Sequence, residues 1–171
     1  RAFANSSIAR VNFGGIKIIS MSAFADSQLS IVSDGESVES IKKMAFYKTK
    51  INSVGIFQNV VDIEEKAFHE TDFFKAAGGF VYIGKVLYYD NSKGGGYTAD
   101  TRIVSIAPYA FESTQYATLD LGGFSNLKYI ESYAFAGNGN IVEVTLPASL
   151  SEIKDSAFKG SSIKKINLSG C

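Results

Sequence analysis

Residues 141–158 read Ile141-Val-Glu-Val-Thr-Leu-Pro-Ala-Ser-Leu-Ser-Glu-Ile-Lys-Asp-Ser-Ala-Phe158. The stretch opens with apolar residues at 141, 144 and 146. Its last two alternate with polar neighbours, which places them on one face of a short strand. Leu150, Ile153 and Ala157-Phe158 then follow at three- and four-residue spacing, the pattern of a turn or two of helix or of a tight non-strand return. An alanine before the phenylalanine suits a place where two backbones approach and only a methyl fits.

The same pattern runs through the chain. Ala-Phe recurs with Phe at 3, 24, 46, 68, 111, 135 and 158, giving gaps of 21, 22, 22, 43, 24 and 23. Five residues before each Phe after the first stand Ile19, Ile41, Ile63, Ile106, Ile130 and Ile153, and eight before stand Ile16, Val38, Val60, Ile103, Leu127 and Leu150. Past each Phe come Ile8, Leu29, Ile51, Phe73, Tyr116, Ile141 and Ile163. An apolar pair follows in most coils: Val11/Phe13, Val54/Ile56, Leu119/Leu121, Val144/Leu146 and Ile166/Leu168. Gly137-Asn-Gly-Asn140 and Gly160-Ser-Ser162 supply corners. One coil is too small to bury its own apolar face, so a period of this length predicts a repeat solenoid. Its strands pair in parallel about 4.8 Å apart, and the Phe, Ile and Leu of every coil form one interior.

These residues resemble the BspA-like, or Treponema-type, leucine-rich repeat, whose unit runs L-x-x-I-x-L-P-x-x-L-x-x-I-G-x-x-A-F. The resemblance spans nearly the whole chain. It departs at the Gly after Ile (here Ser20, Lys42, Glu64, Ala107, Glu131 and Lys154), at Leu-Pro, which occurs once as Leu146-Pro147, and at the Cys that often follows Ala-Phe. The resemblance implies a leucine-rich-repeat right-handed superhelix with a parallel β-sheet on the concave side and short helical or irregular returns. It also implies a secreted or cell-surface bacterial protein active in adhesion to host or cell-surface proteins or glycans, with no catalytic residues to carry over. The expectation is a single solenoid domain over 1–171, cut mid-coil at both ends and hence a piece of a longer chain.

The doubled gap holds an insert, 69–101. Phe80-Val-Tyr-Ile83 and Val86-Leu-Tyr-Tyr89 flank Gly84-Lys85, which reads as two strands and a two-residue turn, a β-hairpin. Gly94-Gly95-Gly96 reads as a flexible connection, since it lacks the residue order of a phosphate-binding loop. Alternation buries one face of the hairpin, leaving Tyr82, Tyr88, Tyr89 and Tyr97 as candidates for an aromatic platform. The competing surface is the sheet face that flanks the alternating apolar pairs. Its candidates are Arg10, Asn12, Ser33, Ser53, Thr118, Asp120, Glu143, Thr145, Lys165 and Asn167, a small and mixed-charge set without the aromatic anchors of binding hot spots.

Composition narrows the function. Seventeen Lys and Arg balance seventeen Asp and Glu in 171 residues, which argues against a nucleic-acid partner, whose affinity rests on clustered positive charge. No apolar run approaches the length needed to cross a bilayer, so no membrane insertion is expected of this segment. A single His and a single Cys exclude a Cys/His zinc cluster, and no motif calls for a cofactor or metal. His69 reads as a surface corner residue. Glu64-Glu65 share coil offsets with Lys42-Lys43, and Glu131 shares one with Lys154, so stacking should bring these opposite charges together. Asn5-Ser6-Ser7 and Asn167-Leu168-Ser169 match the glycosylation acceptor pattern, which carries little weight in a bacterial product. The rival to a non-enzymatic recognition module is a carbohydrate-active parallel β-helix, which needs stacked carboxylates on one face. The residues four before Phe are instead mixed: Ser20, Lys42, Glu64, Ala107, Glu131 and Lys154. A passive spacer in a surface protein is a third reading.

Overall fold

The computed structural model describes residues 1–92, 98–112 and 114–168. Two compact units divide the chain, residues 1–77 and 78–171. Each is a β-solenoid whose coils pair through parallel strands, and the described residues hold one helix, of five residues, in the first unit.

In the first unit, β1 (Arg10–Asn12) and β3 (Ile31–Ser33) pair in parallel, with Arg10 opposite Ile31 and Asn12 opposite Ser33. A second ladder joins β2 (Ile18–Ile19), β4 (Ser40–Ile41) and β5 (Asp62–Ile63), which sets Ile19, Ile41 and Ile63 side by side. The helix α1 (Asp72–Ala76) starts at Thr71, whose hydroxyl accepts a hydrogen bond from Phe74 N at 3.1 Å, the usual use of threonine at a helix start.

The interior of this unit is a column of rings. Phe3, Phe24, Phe46 and Phe68 stack with centroids 5.4, 5.7 and 5.0 Å apart. Phe13 meets Phe24 and Phe46 edge-on, and Phe57 lies 5.7 Å from Phe46 and 6.0 Å from Phe68. Offset-stacked and edge-to-face rings gain on the order of 1 kcal/mol beyond their area burial. Here the sequence pairing of Val54 with Ile56 needs correction. Phe57 N donates to Val54 O at 3.0 Å, a turn that carries Phe57 into the core while Ile56 stays half-buried. Ile56 packs instead over Gly35, where an added Cβ would meet its Cδ1 at 2.8 Å.

The second unit opens with the hairpin read from the sequence. Strands β6 (Gly79–Ile83) and β7 (Val86–Asn91) are antiparallel around Gly84-Lys85, with a bulge between Val81 and Tyr82. Gly84 has φ +59°, the left-handed conformation such a turn favours and glycine adopts at no cost. Strand β7 also belongs to the solenoid ladder. It pairs in parallel with β8 (Ser105–Ile106), which continues to β10 (Tyr129–Ile130) and β12 (Glu152–Ile153). Leu87 lies opposite Ile106 and fills the isoleucine place of the doubled gap. A three-stranded parallel sheet, β9 (Thr118–Asp120), β11 (Glu143–Leu146) and β13 (Lys165–Leu168), completes the unit. Phe111, Phe135 and Phe158 stack at 4.6 and 4.9 Å, surrounded by Leu119, Leu121, Leu127, Val144 and Leu146.

Both units turn their Ala-Phe corners alike. Residues two before Phe (Ser22, Met44, Lys66, Tyr109, Tyr133, Ser156) and two after it (Asn5, Asp26, Lys48, Glu70, Gly137, Gly160) have φ between +51° and +67°. The backbone between these corners bonds the neighbouring coil, as in Phe24 N to Ala45 O, Phe46 N to Ala67 O and Phe111 N to Ala134 O, each 2.8 or 2.9 Å. Three residues after Phe stands a small polar side chain. Ser6, Thr49 and Thr71 donate their hydroxyls back to the Phe carbonyl at 2.6 to 2.9 Å.

Candidate binding surfaces

Strand alternation in the second unit carries six of the candidates onto one sheet face. Leu119, Val144 and Leu146 are buried, so their neighbours point the other way. Register then aligns Thr118, Glu143 and Lys165 in one row and Asp120, Thr145 and Asn167 in the next. Lys165 Nζ and Asn167 Nδ2 both donate to Glu143 Oε1, at 2.8 and 2.6 Å. The bond from Lys165 holds the Glu143 carboxyl below its ordinary range, with Asn167 adding to it.

The first unit assembles its candidates less completely. Arg10, Asn12 and Ser33 share the β1–β3 ladder together with Ile31, which is exposed. Ser53 does not join them. The sequence pattern predicts a strand around Val54, but residues 51–54 form none, because the chain turns at Val54 to deliver Phe57 to the core. Asn12 Nδ2 bonds Asp34 Oδ2, and Ser33 Oγ donates to the same oxygen at 3.3 Å.

Two candidates serve turns as well as the surface. Gly14 N donates to Asn12 Oδ1 at 2.7 Å, and Gly122 N donates to Asp120 Oδ1 at 2.8 Å. Each closes an Asx turn at the end of its strand. An Asn-x-Gly or Asp-x-Gly after an alternating apolar residue is the sequence signal for it.

The aromatic platform loses one of its candidates. Tyr88 is only 3% exposed, so its ring offers no face to a ligand, a correction to the exposed set. The bulge after Val81 and the pairing of β7 with β8 seat the hairpin in the ladder rather than on it. Tyr82 is half-buried against the core with Phe80, and its hydroxyl donates to Thr98 O at 3.3 Å. Tyr89 is half-buried opposite Val81. Tyr97 and Gly94-Gly95-Gly96 lie outside the described residues. The pattern did not reveal the stack of Tyr109 on Tyr133, centroids 5.5 Å apart and planes within 4°, because both rings stand on left-handed corners rather than on a strand.

The charge register read from the sequence is present. Lys42 bonds Asp62 at 2.8 Å and Glu64 at 3.1 Å, Lys43 bonds Glu65 at 2.6 Å, and Lys154 bonds Glu131 at 2.8 Å. The bond to Asp62 raises the Lys42 ammonium above its ordinary value, and the bond from Lys43 lowers the Glu65 carboxyl. His69 packs its ring on Phe74, centroids 4.5 Å apart. An apolar cleft of about 590 Å³ lies over the first coil, between Phe3, Ile8, Val11, Phe13 and Ile18. No helix of the described residues is long and apolar enough to cross a membrane.

Comparison with known proteins decides the family. Six copies of the BspA type leucine rich repeat region match residues 1–75 and 75–170. The chain belongs to that family. No curated protein matches it. Among solved structures it is similar to a leucine rich cell surface protein from Faecalibacterium prausnitzii A2-165. That match has 19% identity and a TM-score of 0.35, covering 96% of this chain and 60% of the other. The present chain therefore spans less than two thirds of that protein.

Proposed function

We propose that this BspA-type chain is a non-enzymatic recognition module of a bacterial surface or secreted protein, binding a protein or glycan through many modest contacts. The observation that carries the reading is the two aligned rows on β9, β11 and β13. Six polar or charged side chains share one face at strand spacing, held by a backbone that is fully paired in β11. Such a face suits an extended partner, since affinity then comes from area and complementary polarity. Family membership supports the surface location.

The test is a binding screen of the full chain against host matrix proteins and glycan arrays, repeated with Glu143→Ala/Lys165→Ala and with Tyr82→Ala/Tyr89→Ala. Loss of a specific signal in the first pair alone supports the sheet face. Loss in the second pair alone moves the site to the hairpin. No saturable binding to any target, with normal surface behaviour when the segment is exchanged for an unrelated rod of equal length, supports the spacer reading instead.

A further inference from the structure

The second unit contains one coil whose interior breaks the apolar rule. Asp90 N donates to Ala110 O at 2.7 Å, the bond that Phe111 N makes to Ala134 O and Phe135 N to Ala157 O. Asp90 therefore stands where the other coils place their phenylalanine. Its side chain is buried, with 2% of the residue exposed. One carboxylate oxygen, Oδ1, accepts from Ser92 N at 2.9 Å. The other, Oδ2, has no hydrogen-bond partner among the described residues.

A second buried group at the same corner is also unmatched. Thr114 occupies the position three after Phe where Thr49 and Thr71 donate to the phenylalanine carbonyl. Asn138 Nδ2 takes that carbonyl here, donating to Phe111 O at 2.5 Å. The Thr114 hydroxyl, 1% exposed, is left without a partner. Hydrogen bonds link the chain around Asp90 to the segment that follows Thr114. Ser92, which bonds Asp90, has its Oγ 2.8 Å from the Tyr116 hydroxyl, two residues after Thr114.

A buried carboxylate without a counter-charge is strongly disfavoured, and each buried orphan polar atom calls for an explanation. Lysine or arginine at such a place would answer it, but none pairs with Asp90 among the described residues. We propose that the Asp90–Thr114 corner of the second unit holds a hard cation, bound through Asp90 Oδ2 and Thr114 Oγ1 with water completing its oxygen shell. Calcium and sodium share this chemistry, since both take carboxylate, hydroxyl and water oxygens. The site is distinct from the sheet face and independent of what that face binds. It makes the stability of the second unit depend on the ionic medium.

The full chain is stripped with a chelator into choline chloride and melted with CaCl2 or NaCl added at matched ionic strength. At about 100 times the dissociation constant, the bound cation raises the midpoint by about 5 °C or more. Asp90→Asn, which keeps the shape and removes the charge, abolishes that rise. Thr114→Val reduces it, and the surface change Glu39→Gln leaves it intact. Terbium emission sensitised through Tyr116 and displaced by calcium reports the site directly, so the proposal stays testable if Asp90→Asn fails to fold. An unchanged midpoint with no terbium emission overturns it. An equal rise in wild type and Asp90→Asn overturns it too, by placing the cation elsewhere.

Discussion

The two units spend one repeat on different interiors. The first builds a ring column braced from the side by Phe13 and Phe57, so that Phe46 touches four other rings. The second stacks Phe135 between Phe111 and Phe158, with Phe80 edge-on to Phe111 and a buried Phe124 among leucine, isoleucine and valine. The turn at Val54 that carries Phe57 inward falls where a strand would run, so Ser53 joins none, whereas the matching bond from Phe124 N to Leu121 O, also 3.0 Å, comes after β9 and leaves that strand in place. The second unit keeps that strand in three successive coils and so displays an aligned face.

The largest effect that can break this comparison is removal of a central ring. Phe46→Ala and Phe135→Ala each cost about 3–5 kcal/mol by chemical denaturation. Phe46→Ala is expected at the upper end, because four ring contacts vanish there and two at Phe135. Equal losses would show that side bracing adds nothing. Next comes the seat of the brace. Gly35→Ala pushes a methyl into Ile56 and Phe57 and costs roughly 1–3 kcal/mol, whereas Gly55→Ala, with only Ser53 Oγ near at 4.0 Å, changes stability little.

Smaller effects of opposite sign should appear at the corners, where the units agree. Lys48→Gly and Ser156→Gly relieve a left-handed conformation that costs a side-chain-bearing residue about 1–2 kcal/mol, less the backbone entropy glycine loses. A net gain of about 0.5–1 kcal/mol in both units is expected in thermal melts. The smallest effects are electrostatic. The carboxyls of Glu65 and Glu143 are held below their ordinary 4.5 by Lys43 and Lys165. Their stabilisation is therefore complete above pH 4.5 and fades as pH falls through the depressed folded value. Glu65→Gln and Glu143→Gln flatten acid denaturation slightly, the second less than the first and with the difference screened by salt.

Much of this architecture was legible because its signal is periodic. Phe at seven stations, Ile five before and a branched aliphatic eight before specify which side chains face inward, and Gly84-Lys85 between two alternating runs specifies a hairpin. Lys42 and Lys43 against Glu64 and Glu65 were readable for the same reason, since coil offset becomes spatial adjacency. What escaped was whatever replaces a residue without breaking the count. Phe57 and Ile56 are equally apolar, and only a turn bond decides between them. The left-handed corners are occupied by Met44, Lys66 and Tyr109 rather than glycine, so composition hides them. Asp90 sits in a strand-like run, and its place in the phenylalanine column emerges only from its bond to Ala110. Tyr88 looked exposed by alternation, yet β7 lies between β6 and β8 and buries it. Of the candidate face, the members on β9, β11 and β13 were legible from alternation, while the turn duties of Asn12 and Asp120 needed the structure.

The account rests on stacked Ala-Phe returns locking each coil to the next, and native-state hydrogen exchange tests that most directly. The amides of Phe24, Phe46, Phe111 and Phe135, which donate to alanine carbonyls one coil away, should exchange among the slowest in their units, at rates set by global unfolding. Exchange at those four amides as fast as at exposed Asn52 and Ser53 would contradict the stacked interior.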